Sequence, residues 1–93
     1  MMRKARQEAE RKRIQTLEKL ATKEEPARVN VENLLSQKRG SAYDEATELL
    51  VDLHDMAEYK QRQHIFSERF SYIREKYGRS AALMERFRRA QLI

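Results

Sequence analysis

Residues 41–59 decide the fold, and they read SAYDEATELLVDLHDMAEY. Their apolar side chains recur at steps of three and four, which is the pattern of an amphipathic helix with one broad buried face. These apolar positions are Ala42, Ala46, Leu49, Leu50, Leu53, Met56 and Ala57. Ser41, which stands three residues before the acidic Asp44, predicts the N-cap. We therefore predict a central helix over residues 41–59 whose opposite face is acidic.

Two breakers divide the chain before this helix. Pro26 suits the first turn of a helix and disfavours helical geometry before it, so it predicts a break between helices over residues 1–24 and 27–38. Gly40 is a typical C-terminal stop, and with Ser41 as the next N-cap it predicts that the second and third helices form a tight antiparallel hairpin. The residues expected to face inward on the second helix are Val29 or Val31, Leu34 and Leu35.

Two more helical stripes follow in the second half of the chain. After Tyr59 the apolar period lapses over residues 60–63, which predicts a short loop. A fourth helix then ends at Gly78, and Ser80 is placed to cap a fifth. The predicted inner residues are Ile65, Phe66, Phe70, Ile73 and Tyr77 on the fourth helix and Leu83, Met84, Phe87 and Ala90 on the fifth, with Leu92 and Ile93 closing the hydrophobic end.

These stripes predict an all-α protein. Residues 26–93 are expected to form a compact antiparallel bundle of about four helices with repeat-like hairpins, preceded by a charged helical arm over residues 1–25. The first dozen residues carry few apolar side chains, so the arm should dock through its last two turns only. Two interpretations of its beginning stay open: a solvated extension, or an arm that becomes ordered on a partner.

The composition excludes several classes of protein. Hydrophobic residues make up 40% and charged residues 38% of the chain, with two Gly and one Pro, which favours helices joined by short turns. The chain has no Cys, which excludes disulfides and thiolate zinc sites. No apolar run approaches the roughly 20 residues of a membrane span. The first residues lack the apolar centre of a secretory signal, so we expect a cytoplasmic protein.

The net charge of +5 is unevenly distributed. Residues 1–25 carry eight Lys or Arg and five acids, residues 26–60 carry four and seven, and residues 61–93 carry eight and three. Basic ends around an acidic middle are consistent with two arrangements. The packed helices neutralise one another, or a positive surface remains for a phosphate-rich partner.

Short motifs in the later helices resemble one bacterial family. The motifs are Tyr43-Asp44-x-Ala46, Leu49-Leu50-x-x-Leu53, Phe66, Ile73-Arg74-x-x-Tyr77-x-Arg79 and Leu83-x-x-x-Phe87-x-x-Ala90-x-Leu92. Over residues 27–92 the chain resembles the C-terminal helical-repeat segment of bacterial SWIM zinc-finger proteins and of related uncharacterised bacterial proteins. The resemblance implies a solenoid-like module of helix hairpins used for protein contacts, and it supplies no catalytic residue.

The resemblance does not extend to the zinc finger or to the first helix. The zinc finger needs Cys and His ligands and this chain has no Cys, so no zinc-binding role transfers. Repeat modules bury their faces against neighbouring repeats. A single copy is therefore expected to self-associate or to belong to a longer chain.

The histidines do not form a metal motif. Glu58 follows His54 by four residues and Glu68 follows His64 by four, a spacing that places two ligands on one helix face. A metal site needs three or four converging ligands, however, and the two histidines lie on different predicted helices. We therefore predict structural or surface roles for both, with no metal and no cofactor.

No motif in the chain indicates catalysis. There is no Gly-rich phosphate loop, no nucleophile elbow and no HExxH run. The acidic face of the central helix is expected to be solvated or paired with the basic fourth and fifth helices, because nothing indicates a pocket that would separate the pKa values of its carboxyls. We therefore predict that the protein is not an enzyme.

The leading prediction is a non-enzymatic protein-interaction or scaffold module that self-associates or binds a protein partner. Apolar docking would hold the partner, and charge would steer the choice of partner. The residues predicted to contact it are Ile14, Leu17 and Leu20. The aromatic and Met side chains of the later helices are interpreted as core rather than as a ligand groove; they are Met56, Phe66, Phe70, Met84 and Phe87.

The alternative is a nucleic-acid-binding accessory protein that uses its basic first and last helices. The residues predicted to contact nucleic acid are Arg3, Lys4, Arg6, Arg11, Lys12, Arg13, Arg86, Arg88 and Arg89. Glu8 and Glu10 interrupt the first cluster, and Tyr43, Tyr72 and Tyr77 are interpreted as packing residues rather than as platforms for bases. An exposed apolar patch would favour the first function, and a continuous positive surface would favour the second.

Overall fold

Five helices account for almost all of the chain in a computed structural model, which describes the backbone of residues 2–93 and the side chains of residues 8–93. They are α1 (Met2–Thr22), α2 (Glu24–Ser36), α3 (Gly40–Tyr59), α4 (Gln63–Tyr77) and α5 (Ala81–Arg89). The part of the chain described has no strand, so the predicted all-α class is confirmed. None of these helices combines the length and the apolar character needed to cross a membrane.

Helix α3 is the hub of the fold, because it packs against each of the other four helices. Its apolar face is buried as the period of residues 41–59 predicts, with Leu50, Leu53 and Met56 at most 1% exposed. Each of the other helices adds side chains to the same buried cluster. They are Leu17 from α1, Val31 and Leu35 from α2, Phe66, Phe70 and Ile73 from α4, and Leu83 and Phe87 from α5.

A row of aromatic rings joins α4 to α5. Phe66 and Phe70 are stacked one turn apart with their ring centroids 5.6 Å apart, and Phe70 lies 5.1 Å from Phe87 of α5. Offset and tilted ring pairs at these distances add to the stabilisation that burial alone provides. The prediction that these rings are core residues is confirmed, and Met56 is buried with them while Met84 is half-buried at the edge.

The break between α1 and α2 lies at Lys23 and not at Pro26, where it was predicted. Pro26 sits in the first turn of α2, where its missing N–H has no helical partner to lose. The proline ring excludes a carbonyl four residues earlier, so the clash falls on Thr22, the last residue of α1. The second helix therefore begins at Glu24, three residues earlier than the predicted Ala27.

The turn between α2 and α3 also differs from the prediction. The N–H groups of Gln37 and Lys38 bond to carbonyls of Leu34 and Leu35, so the helix closes before it reaches Gly40. Lys38 adopts the left-handed conformation (φ 53°), and Gly40 is already the first residue of α3. The predicted roles of Gly40 as a stop and Ser41 as an N-cap are therefore wrong, since the N-cap is Arg39 and no side chain caps the helix.

The predicted end of α4 and the predicted start of α5 agree with the structure. Gly78 directly follows α4, and the Ser80 Oγ accepts a 3.3 Å hydrogen bond from the N–H of Leu83, so Ser80 caps α5 as predicted. On α2 the alternative between two valines is decided by burial, because Val31 is 1% exposed and Val29 is 59% exposed.

Side-chain hydrogen bonds between helices join residues that are 42 to 45 positions apart in the sequence. Arg13 of α1 bonds to Asp55 of α3, 42 positions later, and Lys60 bonds to Glu18, also 42 positions apart. Between α2 and α4 the offsets are 44 and 45, and between α3 and α5 the offset is again 42. Residue numbers rise together on α1 and α3, and on α2 and α4, so each of these two pairs runs in the same direction.

Candidate partner-binding surface

The apolar stripe of α1 is used mainly for packing within the chain. Leu17 is 6% exposed and lies in the buried core, and Leu20 packs against that core from the edge. Ile14 is 41% exposed. Of the three residues predicted to contact a partner, Ile14 is therefore the one whose side chain lies largely on the surface.

Charged side chains close the contact between α1 and α3. Arg13 lies 3.1 Å from Asp52 and 2.6 Å from Asp55, and Lys60 lies 3.0 Å from Glu18. The hydrogen bond to Asp55 raises the pKa of Arg13. Burial acts to raise the pKa of the Asp55 carboxyl, but hydrogen bonds from Arg13 and His54 outweigh it and hold that pKa below its usual value. The acidic face of α3 thus serves to hold α1.

The arginines of α5 are engaged by acids. Arg86 lies 2.6 Å from Asp44, and Arg88 and Arg89 lie 2.8 and 3.2 Å from the single carboxylate of Glu85. Of the predicted nucleic-acid contacts on α1, Arg11 and Lys12 are exposed and Arg13 is paired with α3. The side chains of Arg3, Lys4 and Arg6 lie outside the described residues. The basic helices α1 and α5 each pack on α3.

His54 belongs to a small polar cluster on α3. Its Nδ1 lies 3.2 Å from Asp55 and its Nε2 lies 3.6 Å from Glu58, while its ring meets Phe66 edge-on at 5.3 Å. Ligand atoms of His54, Asp55 and Glu58 approach one another within 4.8 Å, so these three could hold a cation. Asp55 is already bound to Arg13, however, and His64 lies exposed on α4, so we interpret the cluster as a hydrogen-bonded network.

A groove of about 440 Å³ runs between α2 and α4, and its lining is mainly apolar. Leu50 and Leu53 of α3 lie beneath it but are at most 1% exposed, and its walls include Val31 and Ile73. The volume falls within the range of about 300–1,000 Å³ typical of ligand sites. The groove exists because α2 and α4 both lie against α3 rather than closely against each other.

The rim of the groove carries the two most exposed large hydrophobic side chains among residues 8–93. Tyr72 of α4 is 60% exposed and Val29 of α2 is 59% exposed. Tyr72 was interpreted as a packing residue, which is wrong, whereas Tyr43 is buried and Tyr77 is half-buried. Val29 and Tyr72 thus place exposed apolar side chains on both sides of one groove.

Two guanidinium groups lie in the same groove, those of Arg28 and Arg69. The Arg28 side chain is 12% exposed and donates one hydrogen bond of 3.3 Å to Glu24, while its Nε is buried with no partner among the described residues. Burial, and then the nearby charge of Arg69, lower the pKa of Arg28. Arg69 donates a 3.0 Å hydrogen bond to Glu25, which is largely exposed.

Sequence reasoning missed this groove. Its residues come from α2, α3 and α4, and the two on its rim, Val29 and Tyr72, are 43 positions apart in the sequence (72 − 29). One signal was present in the sequence: Val29 and Val31 could not both face the core, and whichever did not was a candidate for an exposed apolar position.

The chain matches no family model, no curated protein and no solved structure in comparisons with each of them. The resemblance to the helical segment of SWIM zinc-finger proteins therefore stays a prediction.

Proposed function

We propose that the protein is a non-enzymatic helical scaffold that binds a segment of a protein partner in the groove between α2 and α4. The observation that carries this proposal is the rim of the groove, where Tyr72 and Val29 are about 60% exposed beside a mainly apolar lining. Aromatic side chains are enriched at protein interfaces, so Tyr72 is the expected main anchor and Val29 adds apolar contact area beside it.

The proposed scaffold is a short helical repeat. The offsets of 42–45 between hydrogen-bonded residues are what two stacked hairpins, α1–α2 and α3–α4, would produce, with α5 as the first helix of a third unit. Such stacks use the surface between neighbouring helices of one layer for binding. The first of these hairpins includes α1, which lies outside the residues of the resemblance, so the repeat is proposed from the offsets alone.

A protein partner accounts for the surface better than nucleic acid does. The three arginines of α5 face only two acids, Asp44 and Glu85, which offset part of their charge and so weaken its attraction for phosphates. The most exposed large side chains are apolar and line a groove that is mainly apolar. A partner protein, or a second copy of this chain, presents the apolar side chains that this groove would bury.

Selection from a phage-displayed library of random 12-residue peptides on the immobilised protein tests the proposal. A selected peptide, synthesised and titrated in solution, should bind the Tyr72→Ala and Val29→Ser variants at least about tenfold more weakly, as expected for anchor positions. The matched control is Tyr59→Ala, which removes an exposed aromatic side chain away from the groove and should leave the affinity unchanged.

Two results would decide against the proposal or refine it. Peptides that bind Tyr72→Ala as tightly as the wild-type protein would contradict the groove as the site. Light scattering on the same samples reports the oligomeric state. A wild-type dimer that Tyr72→Ala converts to a monomer would identify the occupant of the groove as a second copy.

A further inference from the structure

We propose that the segment bound between α2 and α4 carries a carboxylate that binds between Arg28 and Arg69, beside the apolar side chains that fill the groove. This inference rests on the proposed function and adds the chemistry of the bound segment. It is carried by the position of the two guanidinium groups and by the incomplete hydrogen bonding of one of them.

The Arg28 guanidinium has only one hydrogen-bond acceptor among the described residues, the Glu24 carboxylate. Its side chain is 12% exposed, its single hydrogen bond to Glu24 is 3.3 Å long, and its Nε has no hydrogen-bond partner among the described residues. A buried donor left without an acceptor is costly, and more so when the group is charged. The Nε is covered, so a ligand oxygen in the groove would reach the Nη groups, whose one hydrogen bond is the long contact to Glu24.

Arg69 places a second positive charge close to the first. It lies on the opposite wall of the groove, and its charge is one of the causes that lower the pKa of Arg28. Two guanidinium groups that repel each other in a partly desolvated site gain energy from an anion placed between them. A carboxylate has two oxygens, so it can accept from both groups.

The acids around the groove only partly satisfy the guanidinium groups of Arg28 and Arg69. Glu24 is shared between Arg28 and Arg62, at 3.3 and 3.6 Å. Glu25 pairs with Arg69 but is 69% exposed, so water competes for that contact. A carboxylate brought in by a ligand would arrive with apolar groups that exclude this water.

The other charged residue of the groove gives the bound segment a direction. Glu32 lies along α2 from Arg28, and it is held by Lys76 at 3.4 Å and by the Tyr77 hydroxyl at 3.3 Å. A negative side chain is favoured beside the arginines and disfavoured beside Glu32. The apolar side chains of the segment then lie between Val29 and Tyr72, over Leu50 and Leu53.

The phage library described above supplies the probe, and its selected sequences should share one Asp or Glu beside two or more large apolar residues. In a synthesised peptide, replacing that acid by its amide should weaken binding at least about tenfold, the loss expected for a charge-assisted contact. The protein variants Arg69→Gln and Arg28→Gln should weaken binding of the acidic peptide similarly and leave the amide peptide unaffected.

Three controls separate the outcomes. Arg74→Gln removes an exposed arginine of α4 outside the groove and should change nothing. Arg28→Lys keeps the charge but loses the planar pair of donors, so it should recover only part of the affinity. Thermal melting of each variant shows whether it is folded. Arg69 is about half exposed, so its variant remains informative if Arg28→Gln fails to fold.

The two proposals fail in different ways. Peptides that depend on Tyr72 and Val29 but show no preference for an acid, or bind equally well as amides, would overturn the carboxylate site and leave the groove in place. Peptides that bind without Tyr72 and Val29 would overturn the groove itself. Displacement of the acidic peptide by a single-stranded oligonucleotide at physiological salt would overturn both in favour of a phosphate ligand.

Discussion

Arg13 of α1 donates a 2.6 Å hydrogen bond to Asp55 of α3, and the two residues are 42 positions apart in the chain. The contact joins the basic beginning of the protein to its acidic middle. Part of the positive charge of the first segment is therefore neutralised by the acids of the second. The same offset of 42 recurs between Glu18 and Lys60 and between Asp44 and Arg86, so charge pairing follows the register in which the helices stack.

Loss of the Arg13 side chain should loosen α1 without unfolding the protein. Its carboxylate partners are more than a third exposed, so we expect Arg13→Met to lower the free energy of unfolding by only about 0.5 kcal/mol. Amide hydrogen exchange of residues 14–22 should be accelerated more than that of α3. Arg88→Met removes a pair within α5 and serves as the control. Equal exchange of α1 in both variants would show that the pair does not hold the helix.

Asp55 should titrate below the usual range of an aspartate. Hydrogen bonds from Arg13 and His54 outweigh the effect of burial and lower its pKa. Since the folded pKa lies below the unfolded value of about 3.9, the ionised carboxylate stabilises the fold above that pH. This contribution is lost as the pH falls through the folded pKa. Carboxyl NMR should show the low pKa in the wild-type protein and a rise in Arg13→Met. An unchanged pKa in the variant would contradict this account.

Leu17 should matter far more than its neighbour Ile14. Leu17 is 6% exposed in a cluster that includes residues of all five helices, so Leu17→Ala should cost about 3 kcal/mol. Ile14→Ala, at a position 41% exposed, should cost less than about 1 kcal/mol. Urea unfolding followed by circular dichroism measures both. We expect one cooperative transition. Separate melting of α1 would instead support the predicted division into an arm over residues 1–25 and a bundle over residues 26–93.

The two glycines should respond oppositely to substitution by alanine. A Cβ on Gly78 would lie 2.5 Å from the carbonyl oxygen of Arg74, so Gly78→Ala forces the backbone to shift and should destabilise the protein by about 1 kcal/mol or more. A Cβ on Gly40 meets only the end of the Arg86 side chain at 3.2 Å. Gly40 begins α3, so Gly40→Ala should be neutral or stabilise by a few tenths of a kcal/mol. Thermal melting distinguishes the pair, and equal effects would contradict this contrast.

Periodicity accounts for what could be predicted, because burial of a helix face follows from its own sequence. The apolar steps from Ala42 to Ala57 are enough to identify α3 and its core face, and Ser80 identifies the start of α5 by local hydrogen bonding alone. Local rules failed where competing contacts decided the outcome. Lys38 rather than Gly40 adopts the left-handed conformation. The N–H groups of Gln37 and Lys38 bond to the last carbonyls of α2, so the helix ends before the chain reaches Gly40.

The groove could not be predicted because it depends on the spacing of two helices. Val29 and Tyr72 lie outside the buried faces of α2 and α4. The apolar pattern of each helix does not determine the distance between the two helices where they pack on α3. The same holds for Arg28 and Arg69, whose proximity is a consequence of the 44-residue register between Glu25 and Arg69. A site formed by residues of two helices can be predicted only when the relative placement of those helices is known.

Nucleic-acid binding should strengthen when the arginines of α5 lose their acidic partner. Arg88 and Arg89 share the carboxylate of Glu85, so the wild-type protein should not retain a 20-base-pair duplex at physiological salt. Glu85→Gln should raise the affinity for the duplex at low salt several-fold. The slope of log affinity against log salt concentration should steepen by the amount expected for up to about two more phosphate contacts. Glu75→Gln, an equal change of charge at an exposed position of α4, is the control. Tight binding by the wild-type protein at physiological salt, lost on Arg86/Arg88/Arg89→Ala, would favour the nucleic-acid function over the proposed scaffold.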